Sequence, residues 1–449
     1  MLIRKREKQI TEWIKGDNKA LLVYGARQVG KTFLIRECLK KLSSSYIEFN
    51  LIKQPEIVTL LENATTVEEL ITRLSLFTDK KFIKGKTIIF LDEIQEYKEI
   101  VTKIKFFVEE GSFRYILSGS LLGVELRNLK SAPVGYVRSI TMYPLDFEEF
   151  LQIFNVQPVV IDTLRSCYEK KTPVDEVVHK KLLDYFNLYL LVGGMPSAVM
   201  KYVETSNLEE VYTEHIAIIE QYKQDFTKYE EENKKLYLTQ VYDLIPAELS
   251  EKNKRFNFAD IQKGLKFERA EDNFIWLEKA GVALPVFNTT EPKLPLLLNK
   301  KSNLFKLFLS DVGMLTSMYG RGTKIKILSG EGDINNGALY ENAVAQELYA
   351  HGFTPYYFNS KKQGELDFVI EKDGEALPIE VKSGKNYMTH SALDNVMRNV
   401  DYNIKTAFVF ANCNVTAEER VTYYPIYFCM FLQEDGLVLP KIPLANFMI

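Results

Sequence analysis

"LLVYGARQVGKTFLIREC" occupies residues 21–38 and joins a short apolar run to a helical pattern through a glycine-bounded loop. Gly25, Gly30, Lys31 and Thr32 fit the spacing G-x-x-x-x-G-K-[ST] where that spacing has chemical meaning, between a strand and a helix. Glycines let the backbone curl so that successive N–H groups converge on phosphate oxygens at the positive end of a helix. The expected nucleotide-binding loop is therefore Gly25, Ala26, Arg27, Gln28, Val29, Gly30, Lys31, Thr32 and Phe33. Lys31 is expected to reach the β- and γ-phosphates of ATP, and the Thr32 hydroxyl to ligate Mg²⁺. The bland alternative is an ordinary strand-to-helix turn. With glycine at ~7% of residues in general, a chance match in this context is uncommon.

A second apolar run, "KTIIFLDEIQ" (residues 86–95), reads as a buried strand ending in Asp92 and Glu93. An acid at the carboxyl end of a parallel strand lies beside such a loop, so Asp92 is expected to serve the Mg²⁺. Glu93 is placed to polarise an attacking water as a general base. "RYILSGSLLG" (residues 114–123) supplies a third strand, and Ser118 at its end is a candidate γ-phosphate sensor or a mere turn former. Arg114, Arg127 and Arg138 are candidate transition-state arginines, and no pattern selects among them.

"GARQVGKT", "IIFLDEIQ", "SGSLLG", "MYPLDFEEFL" and "YLLVGGMPSAV", with the segment after Gly337, together resemble the prokaryotic AAA-type P-loop ATPases that carry a C-terminal domain of unknown function. The resemblance covers essentially the whole chain. It implies an αβα nucleotide-binding domain with Lys31, Thr32, Asp92 and Glu93 in the roles above. It supplies no clear finger arginine, so hydrolysis would call on a second subunit or a partner.

The 449 residues are too many for one ordinary core, and a 46% hydrophobic, 26% charged composition is that of a folded chain. A net charge of -3 excludes a wholesale polyanion binder, so any surface for DNA or RNA must be a local patch. The charged start "MLIRKREKQITEW" lacks the apolar core of a secretory signal, no run is long enough for a membrane span, and Cys38, Cys167, Cys413 and Cys429 lack metal-ligand spacing. A cytoplasmic location is the expectation.

The expected α/β organisation is a P-loop ATPase domain (1–150), a helical lid (151–243), a winged-helix-like module (244–330) and a C-terminal restriction-endonuclease-like domain (331–449). "GGMP" (residues 193–196) reads as a packing break between two lid helices. In the third segment Lys252, Lys254, Arg255, Lys263, Lys266 and Arg269 outnumber Glu251, Asp260 and Glu268, and "PKLPLLLNK" (residues 292–300) reads as a wing. Such a basic helix could grip phosphates, although a lysine-rich face is usually only a solvated one.

"GELDFVIEKDGEALPIEVKSG" (residues 364–384) alternates around the turn signal Asp373-Gly374, so Asp367 and Glu380 should meet across a hairpin. Paired carboxylates repel unless a proton or cation lies between them, and a divalent metal with oxygen ligands is the usual solution. Lys382 could then orient a water for attack on a phosphodiester. The upstream "GALYENAVAQELYAHG" reads as an amphipathic helix carrying Glu341. Glu on a helix, Asp on a strand and then Glu-x-Lys resembles the PD-(D/E)XK superfamily, with Leu366 where the name expects proline. The competing readings are an exposed ion pair, acids facing water, or a nuclease-like fold whose chemistry is lost. Two functions follow as expectations: an Mg²⁺-dependent ATPase coupled to a nuclease-like domain acting on nucleic acid, or a nucleotide-switched scaffold for a protein partner. A homo-oligomer is compatible with either.

Overall fold

A computed structural model describes residues 4–43, 45–64, 66–97, 99–120, 135–229, 232–251, 254–257, 260–261, 274–329 and 336–434. The first sheet is built from β1 (Ala20–Tyr24), β2 (Tyr46–Asn50), β3 (Ile88–Asp92), β4 (Arg114–Gly119) and β5 (Val137–Thr141). Their spatial order is β2-β3-β4-β1-β5, and every pairing is parallel. Each strand alternates between two cores because successive side chains leave opposite faces. Leu21, Val23, Ile88, Phe90 and Ile116 join Trp13 and Leu34 on one side. Leu22, Ile89, Leu91, Tyr115 and Leu117 join Ile57, Leu70 and Ile104 on the other. The result is a three-layer αβα unit.

Between residues 147 and 250 the described elements are all helices, with long ones at Glu176–Val192, Leu208–Tyr229 and Glu232–Ser250. The break at Gly193 and Gly194 is a packing requirement. A Cβ at Gly193 would lie 2.2 Å from Asp311 Oδ1, and one at Gly194 would lie 2.0 Å from the Leu145 carbonyl oxygen. Gly193 also has φ +68°, where side chains are strained.

The second sheet contains β6 (Ala283–Thr289), β7 (Lys300–Leu309), β8 (Tyr356–Ser360), β9 (Gly364–Lys372), β10 (Glu375–Lys382), β11 (Ala407–Ala411), β12 (Thr416–Glu418) and β13 (Val421–Pro425). Its order is β12-β13-β11-β10-β9-β8-β6-β7, with parallel and antiparallel pairings mixed. The expected wing differs from what is found. Leu296–Asn299 is a 3-10 turn, and β6 and β7 form an antiparallel pair whose inner strand bonds in parallel to β8. These strands therefore extend the C-terminal sheet, because β6 and β7 are apolar enough to be covered. The recognition-helix residues Lys252, Lys263, Lys266, Glu268 and Arg269 lie outside the described residues.

The helix Asn336–Ala350 is not amphipathic in its setting, since every residue from Ala338 to Leu348 is buried. Its polar residues are spent on other segments. Asn342 accepts from the Leu309 N–H at 2.8 Å, Gln346 from the Val312 N–H at 3.0 Å, and Glu347 from the Phe147 N–H at 2.7 Å. Each of these bonds satisfies a buried backbone donor. This helix is thus the seam between the lid and the second sheet. Among the described residues no helix is long and apolar enough to cross a membrane.

Candidate functional site

The loop leaves β1 at Gly25 and enters the helix Lys31–Leu42 through Gly30. Gly30 is left-handed at φ +91°, a conformation that costs a side chain strain. A Cβ on Gly25 would meet the Met142 carbonyl oxygen at 2.1 Å, so the close approach of the β5 end also requires glycine. Lys31 is buried, and its Nζ donates to the carbonyls of Gly25 at 3.0 Å and Ala26 at 2.7 Å. Burial pulls its pKa down to about 8, against the carboxylates of Glu93 and Asp92. In the loop Ala26 and Val29 are buried, Arg27 is half-buried and Gln28 is exposed. Phe33, just beyond it, is exposed.

Asp92 ends β3 and is 2% exposed. The Thr32 hydroxyl donates to its Oδ1 at 3.0 Å, the Ser118 hydroxyl to Oδ1 at 2.9 Å, and the Asn50 amide to Oδ2 at 3.1 Å. Burial and the neighbouring Glu93 raise its pKa, while the Ser118 and Thr32 bonds oppose the rise. Glu93 sits at φ +60° and accepts from Gln95 Nε2 at 2.6 Å. A hydroxyl and a carboxylate at 3.0 Å, with side-chain donors fixing the carboxylate, form a hard-oxygen set suited to Mg²⁺. Asn50 is absent from the sequence reading. The register Asn50↔Asp92 brings it in, and a polar residue at the carboxyl end of "YIEFN" was the available signal.

Ser118 touches Asp92, and Ser120 Oγ accepts from Arg27 Nε at 3.3 Å. The candidate finger arginines are elsewhere. Arg114 donates to the Ile14 carbonyl at 2.8 Å, and Arg138 pairs with Asp17 at 3.4 Å. Arg114 is the first residue of β4 and Arg138 the second of β5, so both lie at the amino edge of a parallel sheet whose loop site is at the carboxyl edge. Arg127 lies outside the described residues. The cations that do contact the loop came without a motif. Arg4 donates to the Val29 carbonyl at 2.8 Å, and Arg27 pairs with Asp225 of the Leu208–Tyr229 helix at 2.8 Å. Tyr222 of the same helix donates to the Arg27 carbonyl at 3.0 Å.

The second set of expected residues is also brought together. Glu341, Asp367 and Glu380 are buried or nearly so, and Lys382 Nζ donates to Glu380 Oε2 at 2.7 Å. The Val381 N–H donates to Asp367 at 2.9 Å. Burial, then the Asp367 charge, drives the Glu380 pKa well above its ordinary value. Sequence reasoning missed Lys306, and it set Lys254 on a basic helix gripping phosphates, whereas residues 254–257 are not helical. Lys306 is fully buried, 2.7 Å from Glu365, 3.8 Å from Glu341 and 4.0 Å from Asp367, and Lys254 is ion-paired to Glu341. Asp146, Glu347 and His351 form a further polar knot with ligand atoms within 4.8 Å of one another. Lys5 Nζ already lies 2.8 Å from Asp146 within it.

Family models match three stretches of the chain. Residues 17–151 match a model described as an AAA domain, residues 183–325 a domain of unknown function (DUF8612), and residues 336–428 another (DUF4143). No curated protein matches. Among solved structures, the chain is similar to a Walker-type ATPase of Pyrococcus abyssi at 15% identity and TM-score 0.44, over 71% of this chain and 96% of that one. It is similar to the Orc1 protein of Aeropyrum pernix in complex with DNA at 15% identity and TM-score 0.34, over 73% of this chain and 93% of that one. The RuvB protein of Thermotoga maritima gives 12% identity and TM-score 0.28, over 65% of this chain and 89% of that one.

Proposed function

We propose that this chain is an ATP-binding switch that hydrolyses its nucleotide with Mg²⁺ and transmits the change to its C-terminal domain. The observation that carries the reading is the Thr32–Asp92 contact at 3.0 Å beside the buried Lys31, at the mouth of a loop that admits no side chain at Gly25. The loop's main-chain amides and Lys31 would bind the phosphates, Thr32 and Asp92 would hold the metal, and Ser118 and Asn50 fix the Asp92 rotamer. Bound Mg²⁺ would neutralise charge on the β- and γ-phosphates. Glu93, left-handed and held by Gln95, takes the proton of the attacking water. Arg114 and Arg138 stand at the far edge of the sheet, so neither of these described candidates reaches the site, and a second copy or a partner is proposed as the source of the stabilising arginine.

The C-terminal output is read as a nuclease-like domain that binds or acts on DNA or RNA. The four expected residues converge, but two further lysines already stand among their carboxylates. That observation favours a second reading, in which the domain is an inactive nuclease-like scaffold for a protein partner. Glu93→Gln is the first test. ATP binding should survive while turnover falls by a factor on the order of 10²–10⁴. Unchanged turnover removes Glu93 from the mechanism, and no heat on titrating folded wild-type chain with ATP and Mg²⁺ removes the whole proposal.

A further inference from the structure

The acidic cluster of the second sheet has an internal solution to its own charge. Glu341, Glu365, Asp367 and Glu380 face Lys254, Lys306 and Lys382. Four carboxylates meet three ammonium groups, so most of the charge that a divalent cation would neutralise is already compensated. Geometry adds to this. Lys306 projects from β7 with its side chain at 0% exposure, between carboxylates that come from a helix and from β9. Glu341 Oε2 is buried and accepts no hydrogen bond, and the ammonium 3.8 Å away is its compensation.

Lys254 differs from Lys306. It belongs to the short strap that follows the lid helix Glu232–Ser250, it is left-handed at φ +46°, and its side chain is 16% exposed. The strap is held on β7 by a 2.9 Å bond from the Phe256 N–H to the Phe305 carbonyl, and the two rings stack. The same strap donates its Asn257 N–H to Glu248 of the lid helix at 3.0 Å. A lysine on a lid-borne strap therefore reaches into the cluster from outside.

We propose that Lys306 is a built-in cation filling the position a divalent metal would take in this cluster, and that Lys254 is its removable cover, carried by the lid. The inference rests on reading the cluster as a nuclease-like site and gives that site's regulation: closed to metal unless the lysines are displaced.

Mn²⁺ binding to the nucleotide-free full chain, followed by the paramagnetic resonance signal of the free ion, tests it. Wild type should show no Mn²⁺ site that depends on Asp367. Lys254→Ala with Lys306→Met should gain one, tighter than in wild type by about tenfold or more, and lose it again when Asp367→Asn is added. Lys254→Ala alone, a partly exposed change that leaves the core intact, should already raise Mn²⁺ affinity. An Asp367-dependent site in wild type overturns the proposal, and so does a folded double variant without a gain. Should the double variant not fold, no gain in Lys254→Ala overturns it as well. A double variant that binds Mn²⁺ but leaves DNA and RNA intact supports the lysine closure and ends the nuclease reading, so the two fail separately.

Discussion

Lys31 gives the sharpest quantitative handle. Without nucleotide its ammonium is buried and its pKa is drawn down to about 8. A triphosphate arriving at the loop brings several negative charges within reach, which restores the ammonium to above ~10, the ordinary lysine range. Binding therefore takes up a proton, and the sign is fixed: affinity falls as pH rises through the free protein's pKa. At pH 7 about nine-tenths of the free protein carries the charged lysine, and at pH 9 about one-tenth does. Affinity should drop roughly tenfold between those values, or about 1.4 kcal/mol. ATP's own last phosphate proton leaves near pH ~6 and does not confuse the window. Calorimetry at pH 8 in two buffers of different ionisation enthalpy should report uptake of about 0.5 proton per nucleotide. A guanidinium does not titrate here, so Lys31→Arg should flatten the profile in so far as it binds. A wild-type affinity constant from pH 7 to 9, with no proton taken up, would show that the buried ammonium is not what meets the phosphates.

Two further predictions concern the packing that holds the loop's surroundings. Gly193→Ala places a Cβ against Asp311 at a positive φ, and should cost at least about 2 kcal/mol of stability by denaturant titration. A change below 0.5 kcal/mol, on the order of an ordinary surface substitution, would mean that the Asp311 contact is not tight. Asp311 itself is fully buried, and burial lifts its pKa to about 6 despite N–H donors from Gly194 and Met314. A raised carboxyl pKa contributes stability that is complete below the unfolded value of ~3.9 and lost as pH rises through the folded value. The stability of wild type minus that of Asp311→Asn should thus decline by about 2 kcal/mol from pH 4 to 6 and level off above 7. Parallel curves for the two proteins would contradict this.

The first site was legible because each part is a local pattern: the eight residues Gly25 to Thr32, then an acid at a strand end. What escaped came from register or long-range packing. Asn50 reaches Asp92 only because β2 lies beside β3, and nothing within "YIEFN" announces that neighbour. Lys306 had a local signal, a lysine inside the apolar run "FKLFL" that ends β7, but the charge looks ordinary until Glu365 and Glu341 fold around it. Asn342, Gln346 and Glu347 imitate a solvent face at helical spacing, whereas their partners are backbone groups of segments 33 to 200 residues away. Arg114 and Arg138 were candidates by composition alone, and their place at strand beginnings, once the sheet is parallel, sets them at the wrong edge. Periodicity marks which faces are covered, not by what.

The loop's own hydrogen bonds explain how phosphate could be felt far away. Arg4 holds the Val29 carbonyl at 2.8 Å and Tyr222 holds the Arg27 carbonyl at 3.0 Å. In a trans peptide the next N–H points opposite the carbonyl, so these bonds turn the amides of Gln28 and Gly30 away from their holders. A phosphate that pulls on those amides shifts the same peptide planes and loads both holders. Tyr222 lies on the helix Leu208–Tyr229. Arg4 is also paired with Glu149 at 3.1 Å, and its neighbour Lys5 with Asp146, which meets His351 at 3.3 Å. His351 directly follows the buried helix that carries Glu341, so the loop and the acidic cluster are joined by ion pairs, a hydrogen bond and one helix. Contiguity alone is only a route. If it carries energy, nucleotide must change Mn²⁺ affinity in the lysine-stripped variant by the same factor that Mn²⁺ changes nucleotide affinity, because coupling between two binding sites is reciprocal.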